Sequence, residues 1–148
     1  MSDRLITVIG DGQMGLVMAD AFHRGGARVR VWGPFPEDLE ALAATRSTSR
    51  LESFSLDPEI IIEADAEKAV DGACLLVNAI PTQFIRKVWS GFGSAIAGIP
   101  VVSVAKGIEN ETLLRPTEII RESIESGGLN AGPQAALSGP TIANELVD

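Results

Sequence analysis

Three glycines spaced G-x-G-x-x-G, at Gly10, Gly12 and Gly15, follow directly on the run Leu5-Ile6-Thr7-Val8-Ile9. That run is apolar and β-branched, the character of a strand covered on both faces. After the glycines, Met14, Val17, Met18, Ala21 and Phe22 recur at intervals of three and four, which puts one apolar face on a helix. A glycine triplet alone is weak evidence, but between a strand and a helix it confines the chain to a small group of α/β folds. Gly10 permits the tight turn out of the strand. Gly12 lets the backbone approach a pyrophosphate, and Gly15 lets the helix pack closely on the sheet. The helix then offers its unpaired N–H groups to the phosphates at the positive end of its dipole. Gln13 and Met14 stand at the helix start beneath that diphosphate, and Met14 suits core packing equally well. The bland alternative is a glycine-rich turn without a ligand.

The pattern continues as alternating strands and helices. The first helix runs from Gln13 to Arg24 and stops at Gly25-Gly26. Ala27 to Trp32 alternates as a second strand. The acid that usually follows this strand and binds an adenosine ribose is missing, for the chain reads Trp32-Gly33-Pro34-Phe35. Glu37 and Asp38 come a few residues late, and no Arg stands at the strand tip for a 2′-phosphate. Pro36 to Ala44 reads as a helix with Pro in its first turn. Thr45 to Pro58 is polar and irregular, with Arg46 and Arg50 among Ser and Thr: either a mobile loop that closes over a ligand or a solvated connector.

Further along, Glu59 to Ala64 supplies a short strand, and Asp65 caps a short helix to Val70. Cys74 to Ile80 is a buried strand broken by Pro81-Thr82, and Gln83 to Trp89 opens a helix. Val101 to Val104 is another buried strand, leading into Ala105-Lys106-Gly107-Ile108-Glu109. Thr112 to Glu125 reads as a helix ended by Gly127-Gly128, and Ala135 to Leu137 as a last short strand. Ser138 to Glu145 then starts a helix that Asp148 cuts short. This order predicts an α/β fold with a doubly wound, mostly parallel sheet, in one domain over residues 1–148. Ligands in such sheets bind beyond the C-terminal strand ends. Lys106, a lone cation directly after a buried strand and beside a glycine, therefore faces the ligand crevice or is a solvated turn residue. Arg86, beyond the first turn of its helix, reads as a structural anchor. His23 reads as surface that complements the helix dipole, and Cys74 as a small buried residue.

Charge and cysteine usage narrow the classes. A formal net charge of −8 argues against nonspecific nucleic-acid binding, which needs phosphate-neutralising Lys and Arg. One His and one Cys give no zinc spacing, so no metal is expected. No apolar run reaches the roughly 20 residues of a membrane span. Met1-Ser2-Asp3-Arg4 leads straight into a strand without a signal peptide, and a single Cys fits a reducing cytoplasm.

Five segments together resemble a known family. They are G-D-G-Q-M-G (Gly10–Gly15), V-W-G (Val31–Gly33), A-I-P-T-x-x-x-R (Ala79–Arg86), V-A-K-G-I-E (Val104–Glu109) and L-S-G-P-T-I-A-N-E (Leu137–Glu145). In this order the chain is similar to the N-terminal, Rossmann-like domain of bacterial-type NAD(P)-dependent glycerol-3-phosphate dehydrogenase. It departs from the family at Pro34 and Phe35, where His or Arg beside an acid is usual, and at Ser49 to Pro58, which matches the family's covering loop poorly.

The resemblance implies NAD or NADP as cofactor and reversible hydride transfer between dihydroxyacetone phosphate and sn-glycerol 3-phosphate, feeding phospholipid synthesis. It places Gly10, Gly12, Gln13, Met14, Gly15, Pro81, Lys106 and Ala143 at the cofactor, and Lys106, Gly139 and Thr141 at the substrate. It also implies that the principal catalytic lysine belongs to a following helical domain, so no catalytic residue is expected within this chain. The fragment would then be inactive alone, with homo-oligomers forming through the exposed domain interface. Two alternatives stay open: another two-domain dehydrogenase, such as a hydroxyacid or ketopantoate-type reductase, and a free-standing, non-catalytic nucleotide-binding module.

Overall fold

β1 (Leu5–Ile9) is buried along its whole length. In the computed structural model, which describes residues 4–147, it lies inside a six-stranded sheet. The other strands are β2 (Arg28–Trp32), β3 (Ile61–Ile62), β4 (Leu75–Asn78), β5 (Val101–Ser103) and β6 (Gln134–Ala136). Their order is β3-β2-β1-β4-β5-β6, and every pairing is parallel. The chain winds outward from β1 to β3, returns to β4 on the other side of β1, and winds outward again to β6. This is the doubly wound sheet expected from the alternation of elements. The reversal opens a crevice beyond Ile9 and Asn78, which are register partners at the ends of β1 and β4.

Helices α1 (Gln13–Arg24), α2 (Pro36–Thr45), α3 (Ala66–Val70), α4 (Ile85–Trp89) and α5 (Pro116–Glu125) cover the two faces. Strand residues alternate between them. Val77 joins Ile6, Val8, Leu16 and Val17 on the α1 face, whereas Leu76 joins Ile9, Ile85, Ile119 and Ile120 on the α4–α5 face. α1 ends where Gly26 takes a left-handed conformation, φ 86°, and the Ala27 N–H closes on the Phe22 carbonyl at 3.1 Å. α3 is capped as expected, with Asp65 Oδ1 accepting from the Lys68 N–H at 2.9 Å. A strand side chain closes its other end: Arg30 donates to the carbonyls of Lys68 (2.6 Å) and Asp71 (2.7 Å).

Several expectations need correction. α5 begins at Pro116, four residues later than Thr112, because Glu111 and Leu113 take left-handed φ values of 68° and 58°. A residue before proline is also disfavoured in the helical region, so Arg115 becomes the N-cap, and the Glu118 carboxylate accepts from its N–H at 2.9 Å. The segment from Gln83 opens as a 3₁₀ turn, Thr82–Phe84, before α4. After Ser138 only a 3₁₀ turn forms, at Ala143–Glu145. Gly139, at φ 155°, and Pro140 precede it and do not continue a helix. Asp148, where the expected helix would break off, lies outside the described residues, as do residues 1–3. Cys74 is exposed, not buried.

The segment between α2 and β3 is irregular, as expected, but it is not merely a solvated connector. Leu51, Phe54 and Leu56 are buried in the α1-face core. Arg46 caps α2 in a left-handed conformation and donates to the Ile60 carbonyl at 2.7 Å.

Candidate functional site: the crevice beside β1 and β4

The glycine turn is built by close approach. Gly10, at φ 123°, is held by its N–H on the Trp32 carbonyl at 2.7 Å. A Cβ added there would meet the Ala79 backbone at 2.9 Å, and one on Gly15 would overlap the Gly10 carbonyl. Gly15 therefore sets the distance between α1 and the sheet, as its place in the motif predicts. Gly12 faces open space, with nothing within 4 Å of a built Cβ, and no side chain caps α1. The first hydrogen bond of that helix runs from the Leu16 N–H to the Gly12 carbonyl, so the N–H groups of residues 13–15 come before it. These groups suit a diphosphate in both charge and shape.

The neighbouring side chains have other attachments. Gln13 Nε2 donates to the Arg50 carbonyl and ties the turn to the long loop. Met14 packs, partly buried, against the α1-face core, and Ala143 lies buried in the same core. Both of these sequence-identified residues thus have a packing role.

Between the glycine turn, α2 and the loop after α2 lies a depression of about 230 Å³ bordered by Asp11, Asp38, Ser47, Thr48, Ser49 and Arg50. Sequence reasoning did not single out Asp11. Its carboxyl group occupies the space where a Cβ on Gly33 would be. Gly33 is not among the glycines with positive φ, so space and not backbone conformation requires glycine there. Burial pushes the Asp11 carboxyl above its ordinary value; its own backbone N–H opposes the rise, Asp38 adds to it, and Arg50 opposes it. The available signal was a glycine immediately after a strand, beside a turn carrying an acid.

On the other side of the crevice, polar groups bond to one another. Asn78, fully buried, donates to Ser103 Oγ at 3.0 Å and accepts from Trp89 Nε1 at 2.8 Å. Thr82 Oγ1 donates to the Lys106 carbonyl at 2.7 Å, and Gln83 Nε2 donates to the Ile108 carbonyl at 2.8 Å. Arg86 holds Glu109 by two bonds, at 2.9 and 2.7 Å, and reaches Glu122 at 2.9 Å. It is the anchor its position on the helix predicts. The guanidinium, with the Thr112 hydroxyl, holds the Glu109 carboxyl below its ordinary range.

Lys106 is exposed after β5, and its ammonium group donates to the Thr141 carbonyl at 3.0 Å. That bond brings Lys106 and Thr141 together at the end of the sheet that carries the glycine turn. Gly139 lies two residues before Thr141, and exposed Pro81 stands after β4. His23 sits elsewhere, in the last turn of α1, at the opposite end of that helix from the glycine turn. It is less exposed than a surface residue would be: its side chain is 19% accessible and its Nε2 lies 3.4 Å from Asp57 Oδ1. Glu59 completes a group of three ligand-type side chains there, which spacing in the sequence did not reveal.

A doubly wound parallel sheet, a glycine turn under an uncapped helix and a crevice at the strand reversal define a protein of the dinucleotide-binding class. Residues 5–148 match the family model described as NAD-dependent glycerol-3-phosphate dehydrogenase N-terminus, and the chain belongs to that family. Glycerol-3-phosphate dehydrogenase [NAD(P)+] of Chelativorans sp. (strain BNC1) is 36% identical over 143 residues, 95% of this chain and 42% of that protein. The enzyme of the same name from Chlorobium phaeobacteroides (strain BS1) is 35% identical over 145 residues, 97% of this chain and 43% of that one. Among solved structures, glycerol-3-phosphate dehydrogenase from Coxiella burnetii shares the fold, with a TM-score of 0.85 at 20% identity over 98% of this chain and 43% of that one. The chain thus spans less than half the length of the relatives it matches. No helix among the described residues is long and apolar enough to cross a membrane.

Proposed function

We infer that this chain is the cofactor-binding part of a glycerol-3-phosphate dehydrogenase. It holds NAD(H) or NADP(H) with the diphosphate on the first turn of α1. Gly10 and Gly15 shape the cradle, Gly12 leaves the approach open, and Gln13 fixes the wall beside it. Pro81 forms the other wall, and Met14 and Ala143 support the cradle from beneath. When bound, the nicotinamide supplies the hydride exchanged with the C2 carbon of dihydroxyacetone phosphate or sn-glycerol 3-phosphate. The chain's own contribution is orientation and charge. Lys106 brings a compact cation and three donors to the substrate side, beside Gly139 and Thr141. Its bond to the Thr141 carbonyl holds it there until an anion competes for the ammonium group.

The observation that carries this reading is the uncapped α1 N-terminus under an open Gly12, with Lys106 at the same end of the sheet. The matched relatives are more than twice as long, and this reading assigns the catalytic lysine and phosphate-binding groups to a helical domain in the part that this chain does not cover. Exposed Phe84, Ile108, Leu137 and Ile142 give that domain, or a second copy of this chain, an apolar surface to cover. A cytoplasmic setting and a role in supplying glycerol 3-phosphate for phospholipids belong to the same reading.

Isothermal titration calorimetry of this chain with dinucleotide tests it. A saturable heat in the millimolar range or tighter is expected, together with no turnover of dihydroxyacetone phosphate. No heat with either NADH or NADPH would remove the cofactor reading, and measurable turnover would place a complete active site within these residues.

A further inference from the structure

With a dinucleotide held on α1 as proposed, its adenosine end lies beyond β2, and the role assigned to Asp11 rests on that cofactor reading. In dinucleotide folds a carboxylate at the end of the second strand takes the ribose 2′-hydroxyl. Here β2 runs into Gly33-Pro34-Phe35 and offers none. A carboxylate nevertheless reaches that place from the glycine turn. We propose that Asp11 reads the adenosine ribose in this chain and makes it select NAD(H) over NADP(H).

Position carries the first part. The Asp11 carboxyl lies so close over Gly33 that a Cβ there would overlap it, which fixes the group at the tip of β2. It also borders the depression between the glycine turn, α2 and the loop after α2. A ribose entering the depression meets an acceptor suited to a hydroxyl donor, and hydrogen bonds to an ionised acceptor are the strong ones.

Charge carries the second part. Ser47, Thr48, Ser49 and Arg50 taken alone have the composition of a phosphate site, but the same depression holds Asp11 and Asp38. Two carboxylates face one guanidinium. A phosphate monoester adds about −1.5 to −2 charges at neutral pH, so a 2′-phosphate would enter a site already short of cation. The Gln13 bond to the Arg50 carbonyl fixes the backbone of that residue to the first turn of α1 and so limits how far the guanidinium can be carried away from Asp11.

The test is calorimetric titration of the whole 148-residue chain with NADH and with NADPH at neutral pH in one buffer. NADH is expected to bind tighter by about tenfold or more, the scale of one hydrogen bond to a charged acceptor. Asp11→Asn keeps the shape and removes the charge; it should weaken NADH, strengthen NADPH and bring the ratio close to one. Asp11→Ser serves as a second variant, with circular dichroism melting to confirm that each folds. A wild-type preference for NADPH overturns the proposal and needs no variant, as does an unchanged ratio in a folded variant. Either result leaves the dinucleotide reading standing. Failure of both nucleotides to bind overturns the two together.

Discussion

At the crevice end of β1, three backbone N–H groups precede the first hydrogen bond of α1, and the nearest glycine faces open space. At the crevice end of β4, the Asn78 side chain is bonded on both sides, to Ser103 and to Trp89. The same contrast runs through each half of the sheet. The β1–β3 half presents an uncapped helix N-terminus and a half-buried acid. The β4–β6 half ties its polar groups down, through Thr82, Gln83 and the Arg86–Glu109–Glu122 cluster, and sets Lys106 on the Thr141 carbonyl. A ligand site in such a sheet can thus be divided into a receptive wall and a braced wall. On the proposed reading, the receptive wall takes the diphosphate, while the braced wall positions Lys106 for the substrate.

Variants can break this division. The largest effect is expected at Gly15→Ala, because the new methyl group overlaps the Gly10 carbonyl and either α1 or the turn must move. A loss of about 3 kcal/mol, and with it dinucleotide binding, should appear in chemical denaturation and calorimetry. Retained binding at full stability would show that the cradle tolerates a wider helix–sheet gap. Next comes Asn78→Ala in the braced wall, which strips a partner from both Trp89 Nε1 and Ser103 Oγ in a buried site. Denaturation should report a loss of about 2–3 kcal/mol, with dinucleotide affinity nearly unchanged.

Acid titration should separate the walls with opposite signs. Glu109, held below its ordinary value of 4.5, contributes stability that is present above that value and lost as pH falls through its lowered folded one. Asp11, raised above 3.8, does the reverse: its contribution is full below that pH and lost as pH rises through its raised folded value. Stability–pH profiles of Glu109→Gln and Asp11→Asn, each compared with the wild type, should therefore bend in opposite directions over the acidic range. The smallest stability effect belongs to Lys106→Met. Among the described residues this exposed side chain bonds to the Thr141 carbonyl, so stability should change by no more than about 0.5 kcal/mol, while dinucleotide affinity drops a few-fold. A large melting shift with unchanged affinity would make Lys106 part of the bracing.

Much of the fold is legible in the residues because backbone requirements leave direct marks. Gly10, Gly12 and Gly15 announce both the turn and its position between strand and helix, and the bounds of α1 follow from the apolar period and the Gly25-Gly26 stop. Less is legible where conformation depends on distant partners. Leu113 fits a helical face by period, yet its left-handed backbone and the proline at 116 delay α5. The loop after α2 reads as polar because Ser and Thr dominate it, although three of its apolar residues enter the core. Asp11 carries no mark of its own, because its meaning depends on Gly33, which is far along the chain and meets it only when β1 and β2 pair.

The pair of indoles has a practical consequence. Trp89 is enclosed and hydrogen-bonded to Asn78, whereas Trp32 is partly accessible at the tip of β2, edge-on to Phe92 with ring centroids 4.9 Å apart. Both indoles meet the Phe92 ring, Trp89 at a centroid distance of 6.0 Å, so intrinsic fluorescence reads the tip of β2 and the braced wall through one shared aromatic cluster.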